Sequence, residues 1–483
     1  MKYIIGIDQS TQGTKAVLFD ETGRLVRRED YQHEQIINDR GWVSHDLEKI
    51  YENLLLAVKA VVENAGIEKD DIAAVGISNQ RETTAAWEES GKPIAHAIVW
   101  QCSRAENIVE RYRDRSDEVY EKTGIPLSPY FPAGKMAWLM EHSIQHKNYH
   151  LGTVDSWLVY KLTGGKSFKT DYSNASRTQL FNLHTLQWDA GLCEMFGIPM
   201  EALPEVCDSN ACFGYTDFDG FLNHDVPIHG VMGDSHAALY GQGCHGPGMV
   251  KTTYGTGSSV MMNIGETFLQ SRTGLATSLA WCMDGRIQYV LEGNINYTGA
   301  VISWLQNDMH LITNPAEVEA AAFRANPEDT SVLVPAFTGL SAPYWKGSAK
   351  AMLCGMTRTT GQDEVIKASL ESIAFQIADV LKAMKEDSKT RITELRVDGG
   401  PTKNRYLMQF QSDLAETAVC VAGNEELSAI GAAYMAGIAA GICDEKKVFA
   451  NMTYRKYQTE MPDAIRKKKM ENWKSAVEMV LHS

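Results

Sequence analysis

At 483 residues the chain is long enough for two or three domains, each with its own core. Its 61 acidic against 46 basic residues leave a formal charge of −15, which argues against a surface built to track nucleic acid or anionic lipid. The nine cysteines are odd in number and contain no Cys-x-x-Cys pair, which speaks against a disulfide framework or zinc ribbon and for reduced thiols in the cytoplasm.

The opening "MKYIIGIDQSTQGTK" holds only a short apolar run before Asp8, so it is not read as a secretory leader. "YIIGID" and "KAVLFD" predict two strands, and "ETGRLV" a turn and a third, which together make an antiparallel meander. Residues 46–65 have helical periodicity with Asp46 as N-cap, and "IAAVGIS" is a buried strand. A comparable order returns later: "GMVKTTYGTGSSVMMNIGE" reads as strand, Gly-rich turn and strand, "RIQYVLEG" as another strand, and a helix begins at Gly299. Residues 364–387 form an amphipathic helix, then "ELRVDGGPTKN" is strand and turn, and "RYLMQFQSDLA" is helix. "AIGAAYMAGIAAGIC" is 15 residues long and rich in Ala and Gly. It is too short to span a bilayer and predicts a buried helix that lets another backbone approach. Residues 465–483 predict a Lys-rich helix with a solvated face. The pattern is α/β, in two related domains, 1–244 and 245–483.

Three small-residue turns follow apolar strands: "DQSTQGTK", "TYGTGSS" and "DGGPTKN". Such turns can aim backbone N–H groups and hydroxyls at phosphate, and the acidic starters suit Mg²⁺. Each is also compatible with an ordinary hairpin turn. "YKLTGGKS" is a P-loop decoy, because Tyr160 stands at the first Gly position. "VMGDSHAAL" places Asp234, Ser235 and His236 side by side, yet neighbours cannot converge as a triad. Asp234 is then a helix N-cap, or something more. In "GISNQRETT", Arg81 and Glu82 sit where a strand leaves the core. They are either a surface ion pair or a site for a polyhydroxy ligand, with Trp100 and Tyr130 as flat walls or as core.

Taken together, "GIDQSTQGTKAVLFD", "GISNQRETTAAWEESGKPIAHAIVWQCSR", "GTVDSWLVYKLTGG", "GDSHAALYGQ", "TYGTGS" and "RVDGGPTKNRYLMQFQSDL" resemble the FGGY carbohydrate kinases, and within them the glycerol kinases, from about residue 3 to about residue 441. The resemblance implies two ribonuclease H-like domains of the actin and sugar-kinase type, with ATP and substrate in the cleft between them. It places Ser10, Thr11, Gln12 and Lys15 at a first phosphate turn, Gly255 and Thr256 at a second, and Gly299, Ser303, Gly400 and Asn404 around the nucleotide. Asp8 and Asp234 would flank Mg²⁺, and Arg81, Glu82, Trp100, Tyr130 and Asp234 would bind the polyol, with Asp234 as general base. The partner expected is a small polyol or sugar, not nucleic acid or a membrane, and self-association as homodimer or homotetramer stays open.

Three positions depart from glycerol kinases. Ser10 stands for Gly, Ser235 for Gln after the base, and Ser259 for a pocket Phe. The first reshapes the turn; at the other two a smaller side chain leaves room, and a buried Ser needs a partner, so the alternative substrate is a four- or five-carbon polyol or ketose such as erythritol, erythrulose, xylulose or ribulose. A non-catalytic actin-like ATPase would share the turns but has no need of Arg81, Glu82, Trp100 and Tyr130.

Overall fold

The computed structural model describes residues 1–145 and 147–482. The meander forms as expected: β1 (Tyr3–Gln9), β2 (Gly13–Asp20) and β3 (Leu25–Gln32) pair antiparallel in sequence. Helix α1 (Leu47–Ala65) buries Ile50, Leu54, Val58 and Val61, one apolar stripe at helical spacing. Its Asp46 side chain accepts from the Glu48 and Lys49 amides, and Gly66 ends it in the left-handed conformation at φ 65°. Strand β4 (Ile72–Asn79) then lies parallel to β1. After it come α2 (Pro132–His142), β5 (Gly214–Thr216), β6 (Val226–Gly233) and α3 (Asp234–Gly241). The first sheet has the order β5-β6-β4-β1-β2-β3, with β6 parallel to β4.

The second half repeats the theme with β7 (Met249–Tyr254), β8 (Ser258–Gly265), β9 (Ala276–Met283) and β10 (Arg286–Ile295). Next are α4 (Gly299–Asn307), α5 (Gln362–Ser388), β11 (Glu394–Asp398), α6 (Arg405–Ala415), β12 (Val419–Ala422), α7 (Leu427–Ala439), β13 (Tyr454–Tyr457) and α8 (Asp463–His482). The second sheet runs β9-β10-β8-β7-β11-β12-β13. In both sheets a hairpin strand (β1, β7) pairs antiparallel with its successor and parallel with a later strand. This shared core is the ribonuclease H-like arrangement. Strand β9 is an addition at the edge that the sequence pattern did not reveal.

Helix α7 belongs by sequence to the second half but packs on the first sheet. A Cβ on Gly6 would lie 2.6 Å from the Ala429 carbonyl oxygen, and one on Gly76 2.2 Å from that of Ala432. Against α3 the approach is equally close, with 1.9 Å from a Cβ on Gly431 to the Ala237 oxygen. The expected backbone contact of the Ala/Gly-rich helix is therefore present, and glycine is needed at each of these crossings.

The final helix has the expected solvated face, with Lys467, Lys468 and Lys474 exposed, and it also carries a buried stripe that the sequence reading did not include. Trp473, Ala476, Val477 and Val480 of α8 are buried, and the Trp473 ring stacks on Phe375 of α5 at 5.1 Å. Its indole N–H donates to Asp379 Oδ2 at 2.6 Å. The lysines around this narrow stripe conceal it in the sequence; Ser483 lies outside the described residues. Among the described residues no helix is long and apolar enough to cross a membrane.

Candidate active site

A cavity of about 770 Å³ opens between the two sheets. It lies where the carboxyl ends of β1 and β4 face the ends of β7, β10 and β11. From the first half it is lined by Asp8, Ser10, Thr11, Gln12, Lys15, Arg81, Glu82, Trp100, Tyr130, Asp234 and Ser235. The second half contributes Lys251, Gly255, Thr256, Ser259 and Asp398, with Glu426 and Ser428 at the start of α7.

Asp8 sits near the end of β1 and accepts from Ser78 Oγ at 2.6 Å, with Lys15 Nζ at 3.9 Å. Burial pushes its carboxyl up to about 6, against the pull of Lys15 and Ser78. The turn that follows closes on itself: the Ser10 amide donates to the Gly13 carbonyl at 2.9 Å, and the Ser10 hydroxyl to the same oxygen at 3.0 Å. Thr11 Oγ1 accepts from the Trp100 indole N–H at 3.0 Å. Lys15 Nζ donates to Glu426 Oε2 at 3.0 Å.

Arg81 and Glu82 are not a surface pair. They are 6% and 2% exposed, and each is bonded to a different partner. Arg81 gives Nε to Asp234 Oδ1 at 3.1 Å, Nη2 to Ser235 Oγ at 3.1 Å, and both Nη groups to Glu292 at 2.9 and 3.0 Å. Arg177 bonds Glu82 Oε1 at 2.6 Å and lies 2.8 Å from Glu292 Oε2. The result is a chain of alternating charge, Asp234–Arg81–Glu292–Arg177–Glu82, that crosses from β10 in the second half to the first. Although burial opposes both ionised forms, Arg177 and Arg81 hold Glu292 far below the usual carboxylate range, and Glu292, Glu82 and Asp234 hold Arg81 above its own. Glu82 itself has φ 60°, in the left-handed region.

Asp234 is the first residue of α3, not its cap; Gly233 holds the cap position. A Cβ at 233 would meet Arg81 Cγ at 2.5 Å, so glycine lets the guanidinium stem pass and the N-cap expectation fails on that geometry. The Asp234 side chain is 35% exposed, toward the cavity it lines. Its Oδ1 accepts from Arg81 and from the Ser235 amide, while no hydrogen bond reaches Oδ2 among the described residues.

The second turn is held from behind by the start of α4. The Gly299 and Thr298 amides donate to the Gly255 and Thr256 carbonyls, both at 2.9 Å, and the Ala300 amide to Thr256 at 3.1 Å. Gly299 therefore shapes the turn without lining the cavity. Ser303, Gly400 and Asn404 do not line it either. Ser303 is exposed on α4, Gly400 begins a short 3₁₀ turn, and Asn404 caps α6 by accepting from the Leu407 amide at 2.9 Å. Asp398 of the third turn does reach the cavity and accepts from Thr253 Oγ1 at 3.1 Å and from Gln242.

Sequence reasoning missed Glu292, Arg177 and Lys251. An acidic residue inside the apolar run "YVLEGN" is the only local trace of the charged chain. Of the three departing serines, the two that replace larger side chains are both satisfied: Ser235 accepts from Arg81, and Ser259 Oγ donates to Glu292 Oε1 at 3.3 Å.

Residues 3–241 match the N-terminal domain, and 250–440 the C-terminal domain, of the FGGY family of carbohydrate kinases. The chain is 46% identical to glycerol kinase 1 of Thermotoga maritima and 42% identical to glycerol kinase of Brevibacillus brevis, in each case over 99% of this chain and at least 97% of the relative. Its structure matches that of Plasmodium falciparum glycerol kinase with ADP at a TM-score of 0.94 and 35% identity, covering 100% of this chain and 98% of the other. Xylulose kinase from Lactobacillus acidophilus shares the fold at a TM-score of 0.89 with 21% identity. With two domain matches spanning most of its length and full-length relatives of this identity, the chain belongs to the FGGY family of carbohydrate kinases.

Proposed function

We propose that the protein phosphorylates a terminal hydroxyl of glycerol from ATP, with Asp234 as general base. One observation carries the reading: the Asp234 carboxylate is open to a cavity that the rings of Trp100 and Tyr130 and the turns at 10–12 and 255–257 also line. Arg81 occupies Oδ1 and so orients the carboxylate, and Oδ2 is left to receive the substrate proton. As the new O–P bond forms, that proton passes to Asp234, the bond from the γ-phosphorus to its bridging oxygen breaks, and ADP leaves. Positioning and charge neutralisation supply most of the rate, so closure of the two halves around both substrates belongs to the mechanism.

The residues fit Mg²⁺. Asp8 is a buried carboxylate whose protonation is favoured by burial despite Lys15 at 3.9 Å, and the nearby charge of Asp234 favours it further, so a cation there would relieve both. Held by Asp8 and Asp234 together with phosphate oxygens and water, the ion would neutralise charge on the transferring group. Ser10, Thr11, Gln12, Lys15, Gly255 and Thr256 are read as phosphate contacts. Gly299, Gly400, Asn404 and Ser303 are read as support for the nucleotide side. The junction of the halves is placed at 244/245, with α7 as the element that crosses back. All nine cysteines are free, which supports a cytoplasmic setting.

Glycerol is preferred over a longer polyol because the hydroxyls of Ser235 and Ser259 already have partners within the chain. Steady-state kinetics with glycerol, erythritol, erythrulose, dihydroxyacetone, xylulose and ribulose test the choice. Glycerol is expected to give the highest kcat/KM, and a four- or five-carbon substrate above it would overturn the assignment.

A further inference from the structure

Lys135 of α2 is completely buried, does not line the cavity, and forms no ion pair among the described residues. Its ammonium donates to three backbone carbonyls: Glu82 at 3.2 Å, Trp100 at 3.0 Å and Tyr130 at 2.5 Å. Three N–H donors meet three acceptors, which is the full capacity of the group. The three carbonyls belong to separate stretches of chain, one after β4, one after the short strand Ala97–Ile98, and one ahead of α2. They are also the carbonyls of three of the five residues read above as binding the polyol.

Burying a cation without a carboxylate is costly, and here burial brings the Lys135 ammonium down to about 7. An apolar side chain would fill the space at less cost, so the charge is explained by what it ties together. Glu82 strengthens the point. Its left-handed backbone at φ 60° is unfavourable for a residue with a Cβ, and its carbonyl is fixed by both Lys135 and Thr84 Oγ1, the latter at 3.1 Å.

We propose that Lys135 is a positioning residue for the polyol pocket: one ammonium sets the spacing of the segments carrying Glu82, Trp100 and Tyr130, and so sets polyol affinity without touching the polyol. The proposal rests on the assignment of those three residues to glycerol. Its test is steady-state kinetics of the full chain carrying Lys135→Met, Lys135→Gln or, as a control on the assignment, Tyr130→Ala. In Lys135→Met the KM for glycerol is expected to rise by about tenfold or more, and the KM for ATP to stay within about twofold. Lys135→Gln keeps two N–H donors without the charge and should fall between Met and wild type. Partial misfolding lowers the apparent kcat but does not split the two KM values, and if the Met variant gives no folded protein, the Gln variant carries the same comparison. Equal shifts in both KM values, or an unchanged glycerol KM beside a raised one in Tyr130→Ala, overturn the proposal alone. An unchanged glycerol KM in Tyr130→Ala removes the assignment beneath it.

Discussion

The turns at 10–12 and 255–257 occupy the same place in their two sheets, yet they are built from different parts. The first uses side chains: Ser10 closes the turn with its hydroxyl, and Thr11 accepts the Trp100 indole. The second is mostly bare backbone, propped by the amides of 298–300. A Cβ on Gly257 would lie 2.3 Å from the Ile295 carbonyl oxygen, so this turn leaves no room for a side chain there. One hairpin thus ties its turn to the indole of Trp100, and the other is held mainly by backbone bonds. A repeated fold need not repeat its chemistry.

Four substitutions probe this contrast. Asp234→Asn leaves both turns intact and should lower kcat by about 10² to 10⁴-fold; turnover retained in a glycerol-dependent ADP-release assay would remove Asp234 from its role. Gly257→Ala should strain only the bare turn, raising the KM for ATP by about tenfold while glycerol binding holds. Thr11→Val takes the acceptor from a half-buried indole. Both KM values should then rise by about three- to fivefold, and a change confined to ATP would deny the coupling. Ser10→Ala is expected to be mildest, since its bonds are local: a Tm lower by about 2 °C in calorimetry, with kinetics within about twofold of wild type.

Much of the first sheet was legible because its signals are local. The meander, the Asp46 cap and the stripe of α1 each reside within a short window. The cavity residues Asp8, Arg81, Trp100, Tyr130 and Asp234 were named from motifs, and the chain folds them to one place. What escaped was long-range. Glu292 meets Arg81 across 211 positions of sequence and has no pattern around it that announces a partner. Lys135 has no signal in the sequence, because a bond to a carbonyl leaves no trace in residue type. A cap was one of the two readings open for Asp234, since Asp is a common cap residue, and only the crowding of Arg81 against Gly233 shows why glycine takes that position.

The crossing of α7 back onto the first sheet has a consequence for dissection of the enzyme. A fragment ending at 244 would leave bare the strip beside Gly6, Gly76 and Gly230, a smooth apolar trough that invites aggregation. Neither half is therefore a portable unit, and any split version must carry residues 427–439 with the front portion, grafted or supplied as a peptide.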